Sequence, residues 1–175
     1  MSNRARNRRT VFLQATAAIL AFAIQGGCGY SVRAPFSKDV KTVYVPMFRS
    51  ITFRRDVGIQ LTELVIKEIE RRSGFKVVGV QEGADTILDG TVNFADKNLI
   101  VENPFNLPRQ LTASVNASVS WTHNPPTQED LDRGPTVIAE ILNFVPEIGE
   151  TSATAFYKTN QAIAKQIVDM MEQPW

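Results

Sequence analysis

The amino-acid sequence predicts an α+β fold, a two-layer sandwich in which a mostly antiparallel or mixed sheet of four to five strands carries two amphipathic helices on one face. Three observations carry this. Leu111, Ala113, Val115, Ala117, Val119 and Trp121 alternate with Thr112, Ser114, Asn116, Ser118, Ser120 and Thr122, the period-two pattern of a strand with one apolar and one small-polar face. Two longer stretches, 57–72 and 152–173, repeat their apolar residues at helical spacing instead. The order is strand, helix, several strands, helix, with no internal repeat and no low-complexity tract.

Residues 1–27 have the layout of a secretory leader. Arg4, Arg6, Arg8 and Arg9 precede an apolar stretch from Val11 to Ile24, broken only by Gln14 and Thr16 and short for a membrane span. Gly26 and Gly27 lead into Cys28, the only cysteine of the chain. A lone cysteine cannot form a disulfide within its own chain, and at the end of an apolar leader it reads as a lipid attachment site. Cleavage after the A-x-A run Ala21-Phe22-Ala23 is the competing layout. Asn7-Arg8-Arg9-Thr10-Val11-Phe12-Leu13 also has the form of a twin-arginine signal, so the general and twin-arginine export routes both stay open. Residues 28–38, with Pro35 and no periodicity, read as an acylated tether, and residues 39–175 as a single domain.

The leader holds 4 of the 19 basic residues and none of the 18 acidic ones, so the rest of the chain carries 15 against 18, a formal charge of −3. That excludes broad nucleic-acid binding, which requires a basic stripe to displace counterions from phosphates.

Within the domain, Lys41 to Val45 is a β-branched and aromatic strand ended by Pro46. Val57 to Arg72 is a helix with Leu61, Leu64, Val65 and Ile69 as its buried stripe; Gly74 is expected to terminate it. Phe75 to Val80 is a second strand. Thr86 to Asp96 is a third, with Leu88, Val92 and Phe94 on one face and Asp89, Thr91 and Asn93 on the other. The alternating stretch from Leu111 is the fourth, and Thr136 to Phe144 the fifth. The final helix, Ser152 to Gln173, is expected to be capped by Ser152 and to bury Phe156, Ile163, Ile167, Met170 and Met171.

No residue pattern marks an active site. His123 is the only histidine, which rules out the common zinc ligand sets, and beside Pro125-Pro126 it reads as a solvated loop residue. Asp130 and Asp132 lack calcium-loop spacing and read as turn chemistry in a polar loop from Pro125 to Pro135. There is no phosphate loop and no dinucleotide fingerprint. The expectation is a protein without cofactor, metal or catalytic residues.

Several short runs carry a resemblance. Cys28-Gly29-Tyr30 opens the sequence after the leader, and Val43-Tyr44-Val45-Pro46-Met47-Phe48 has the form V-x-V-P-x-F. Leu61 to Ile69, Ala84-Asp85-Thr86-Ile87-Leu88-Asp89-Gly90 and Ala164-Lys165-Gln166-Ile167-Val168 follow in order. Together they resemble the LPS-assembly lipoprotein family, LptE, over nearly all of the chain after Cys28; Gln25 departs from the family's usual leucine in the lipobox. The resemblance implies a lipid on Cys28 and a periplasm-facing protein held at the outer membrane. It also implies a β-barrel translocon partner of the LptD type and a role in passing lipopolysaccharide outward. A face of Ser114, Asn116 and Ser118 could sit in a polar barrel lumen, or simply meet water. Basic residues at one end of the sheet are expected to meet lipopolysaccharide phosphates, and Arg54, Arg55, Lys97 and Arg109 are the candidates. Another periplasm-facing adaptor or scaffold lipoprotein of the envelope is the alternative.

Overall fold

A computed structural model of the chain describes residues 36, 37 and 39–172. The leader, Cys28 and most of the tether lie outside them. Six strands and two long helices form the expected α+β sandwich: β1 (Thr42–Tyr44), β2 (Arg49–Ser50), α1 (Arg55–Arg72), β3 (Lys76–Val78), β4 (Thr86–Glu102), β5 (Pro108–His123), α2 (Gln128–Asp132), β6 (Thr136–Phe144) and α3 (Ser152–Met171). The sheet is mixed, in the order β3-β1-β4-β5-β6, with the two-residue β2 pairing beside β4. β1 pairs parallel with both β3 and β4, and α1 makes the connection between β1 and β3 that parallel neighbours need. β4, β5 and β6 form an antiparallel meander.

Both helices pack on the face that carries Ala113, Val115, Ala117, Val119 and Trp121, all buried. From α1 come Val57, Leu61, Leu64, Val65 and Ile69, and from α3 Phe156, Ile163, Ile167, Val168 and Met171. The helices run side by side in the same direction. Near their starts, Asn160 donates to the Val57 carbonyl at 3.2 Å and to Gln60 at 3.0 Å. At their ends, Arg72 meets Asp169 at 2.7 Å, and Glu172 and Glu68 as well. Parallel helices bring two negative dipole ends together, and a single guanidinium there offsets both.

One knot fixes the β2 strap to the core. The Phe48 N–H donates to Thr62 Oγ1 at 2.9 Å, and that hydroxyl donates to the Gly58 carbonyl at 2.8 Å. The Phe48 ring lies so close to Gly90 of β4 that a Cβ there would come within 2.7 Å of it. Gly58 faces the same constraint, since its Cβ would stand 2.9 Å from the Phe48 carbonyl oxygen.

Some boundaries and caps differ from the sequence expectation. α1 starts two residues earlier, which makes Arg55 helical and Arg54 its N-cap. Its C-terminus is closed by Ser73, whose N–H and hydroxyl both donate to Ile69 O, so Gly74 is not the terminator. Thr151, not Ser152, caps α3 by accepting from Thr154 N. Thr127-Gln128-Glu129-Asp130 is a capping box that turns the expected loop into the short helix α2.

Candidate functional site

Among the described residues, one face of the sheet carries no helix. On β5 it presents Thr112, Ser114, Asn116, Ser118, Ser120 and Thr122, as the alternation requires, between the flanking strands β4 and β6. Ser114, Asn116 and Ser118 are therefore brought together in one row and half-buried. Asn93, absent from the candidate set, joins them. Its amide donates to Ser118 Oγ at 2.6 Å and to Asn116 Oδ1 at 3.2 Å, tying two strands across the face.

Asn93 is also a β-bulge. Val92 stands opposite Ala117 and Phe94 opposite Asn116, so one extra residue is accommodated on β4. The phase of β4 inverts beyond it. Phe94 therefore sits on the open face, 47% exposed, and not on the core face with Leu88 and Val92. Ala95 takes the buried place instead. The polar row is thus bordered by apolar residues: Phe94 on β4, and Val137, Ala139 and Ile141 on β6. A groove of about 430 Å³ beside Phe94 is lined by Ile51, Thr52, Phe53, Arg54, Asn93, Ala95 and Asp96.

The four basic candidates all lie from the bulge outward but do not converge. Arg54 stacks its guanidinium over the Phe156 ring at 4.7 Å, which engages it in packing the α1 N-terminus against α3. Arg55 is exposed on the first turn of α1. Lys97 is exposed on β4 opposite Ala113. Arg109 opens β5 and approaches Glu147 loosely, at 3.8 Å. Lys97 and Arg109 flank a hairpin end on which Leu99, Ile100, Val101, Phe105 and Leu107 are exposed. Its turn is set by Asn103, whose side-chain oxygen accepts from the Phe105 and Leu107 N–H groups at 2.9 and 3.0 Å.

His123 is not a plain solvated loop residue. Its backbone N–H and its Nδ1 both reach Asp130 Oδ2, at 3.0 and 2.9 Å, and the Thr127 N–H and hydroxyl converge on the same oxygen. Burial alone would push the Asp130 carboxyl up, but the hydrogen bonds from Thr127 and His123 together outweigh it and hold it down at about 2. This is a structural latch that pins α2 to the end of β5. Among the described residues no cluster of three His, Cys, Asp or Glu side chains could hold a metal, and no helix is long and apolar enough to cross a membrane.

One sheet, two parallel helices on one face and a polar face that no other described element covers define the class: a small two-layer α+β sandwich. A hypothetical protein from Chlamydia trachomatis shares that fold, with a TM-score of 0.50 at 8% identity over 76% of this chain and 96% of that one. Residues 40–173 match the family model LptE, lipopolysaccharide-assembly, and the chain belongs to that family. It is a family of non-enzymatic, envelope-associated lipoproteins of lipopolysaccharide assembly that work with LptD. Also similar are lipoprotein B of Nitrosomonas europaea, with a TM-score of 0.46 and 14% identity over 76% of this chain and 83% of that one, and the rare lipoprotein B of Shewanella oneidensis, with a TM-score of 0.45 and 14% identity over 75% and 93%. No curated protein matches by sequence.

Proposed function

We propose that the protein is an outer-membrane lipoprotein, anchored through a lipid on Cys28 and facing the periplasm, that binds and helps assemble an LptD-type β-barrel and assists lipopolysaccharide transport to the cell surface. The observation that carries this reading is the open sheet face. Ser114, Asn116 and Ser118, the last two linked by Asn93, form a shallow polar row that can approach the polar wall of a barrel lumen, while Phe94 and Ile141 on its borders supply apolar contact. Lys97 and Arg109 lie on the half of the sheet towards which both helix N-termini point, and Arg55 stands in the first turn of α1, so these cations and the positive helix ends favour anionic headgroups there. Arg54 contributes its charge from its stack on Phe156.

The test is a pull-down of C-terminally tagged protein from detergent-solubilised envelopes, with mass spectrometry of co-eluting chains and of the Cys28 peptide. A large outer-membrane barrel in near-equal amount and an acylated Cys28 are expected. Asn116→Arg, which sets a bulky cation in the middle of the polar row, should reduce barrel recovery at least tenfold while leaving thermal unfolding within a few degrees of wild type. An acylated Cys28 with no barrel, or with a different complex, would sink the reading and leave an envelope adaptor in its place.

A further inference from the structure

The two edges of the sheet are built differently. β3, at one edge, is three residues long, and short edge strands resist pairing with other chains. β6, at the other, is nine residues long and pairs with β5 in unbroken register from Thr136 to Phe144. It contains no proline, lysine or bulge, the usual devices that blunt an edge. Among the described residues its backbone pairs with β5 alone, so the outward N–H and C=O groups of alternate residues are open to a further strand.

The side chains along this edge set a chemistry for what it would accept. On the open face Val137 and Ile141 are 62% and 66% exposed, with exposed Ala139 between them. On the helix face stands Glu140, the only charge of β6, held by Gln166 of α3 at 2.8 Å. A second copy of the chain fits poorly. Two-fold antiparallel pairing that keeps both helix layers on one side requires paired residue numbers with an even sum. A sum of 280 pairs all nine residues and sets Glu140 opposite its own copy. Sums of 278 or 282 pair seven residues and leave the two glutamates diagonal, and any further shift pairs at most five. Like charges so placed destabilise a strand pair.

We propose that β6 receives an extended segment of a different chain by strand addition. The segment carries apolar residues on the side of Val137 and Ile141 and a lysine or arginine across from Glu140. Backbone hydrogen bonds hold it, and the cation opposite Glu140 selects its register. That this segment belongs to the barrel rests on the function proposed above; the preference of the edge for such a segment does not.

Hydrogen exchange on the full-length protein tests this with two synthetic nonapeptides. Both have valine at even positions and threonine at odd ones, and the fifth residue is lysine in one and glutamate in the other. The lysine peptide should slow exchange of the β6 amides at least tenfold, and the glutamate peptide should bind at least tenfold more weakly. Glu140→Lys should reverse that order. Ile141→Lys, a change at an exposed position, should abolish the protection with unchanged thermal unfolding. No protection by the lysine peptide, equal protection by both, or protection that grows with protein concentration alone would overturn the proposal. In the envelope pull-down, Ile141→Lys should lose the barrel that wild type recovers. Equal recovery would overturn the assignment of the segment to the barrel. Peptide protection without any barrel in the wild-type pull-down would instead overturn the proposed function and leave strand addition in place.

Discussion

Phe48→Ala should lower folding stability by about 3–5 kcal/mol, the usual cost of emptying a buried aromatic site. The ring is 3% exposed and lies under the strap between β1 and α1, against β4. The more informative experiment adds Gly90→Ala. In the wild-type background the new methyl would meet three Phe48 ring atoms at 2.7–2.9 Å, and overpacking of this kind costs about 1–3 kcal/mol. In the Phe48→Ala background the ring is gone and the methyl enters free space. The two substitutions should therefore couple by at least about 1 kcal/mol in urea denaturation, the double variant being more stable than the sum predicts. If Gly90→Ala costs the same in both backgrounds, the ring is not what demands glycine at that position.

Asp130→Ala should cost about 2–4 kcal/mol, because one buried oxygen accepts from four donors that would be left without it. The side chain of Asp130 is 1% exposed, so water cannot easily take over. The same site predicts a pH dependence. The carboxyl is held at about 2 in the folded chain, below the ~3.9 of an unfolded aspartate. A depressed carboxyl contributes its stability above the unfolded value and loses it as pH falls through the folded one. Roughly 2 kcal/mol should thus be present above about pH 4 and vanish towards pH 2. Asp85 and Glu150, also held low by backbone N–H donors, leave a residual slope in the variant. Chemical denaturation at several pH values compares the two proteins, and the Asp130→Ala curve should be flatter between pH 4 and 2. Parallel curves would mean that the carboxylate is not the acceptor that matters there.

What the sequence made legible follows from how local each signal is. β5 could be read residue by residue because period-two alternation needs no knowledge of the neighbouring strands, and β6 begins and ends at Thr136 and Phe144, as its residues predict. The helix stripes were equally plain. Simple alternation puts Phe94 on the core face and the fold does not, because a bulge is a property of two strands, and nothing in Val92-Asn93-Phe94 announces that Ala117 and Asn116 will take up only two of the three. Asn93 stands on the face that the alternation gives it, but its bonds to Asn116 and Ser118 depend on the pairing of two strands, which no single stretch encodes. The His123–Asp130 latch does have a sequence signal, since Thr127 and Asp130 stand at capping-box spacing; the flanking prolines mask it by making the run read as a polar loop. Nearness to loops singles out the basic candidates, and it does not foresee the stack of Arg54 on Phe156.

The lengths of the elements have a dynamic consequence. β4 and β5, of 17 and 16 residues, reach roughly 50 Å at ~3.3 Å per residue, whereas α1 and α3, of 18 and 20 residues, reach only about 27–30 Å. Beyond Ala95 and Leu111 the pair of strands outruns its helical layer, and beyond Phe144 it outruns β6 too. A two-stranded ribbon braced, among the described residues, only by the long contacts of Asn103 and Arg109 with Glu147 is at best marginally stable in water. One hairpin therefore has two lifetimes. Its inner half opens only when the whole domain does, and its outer half frays and reforms by itself. The domain thus holds out a short apolar arm whose order is set by whatever it rests against.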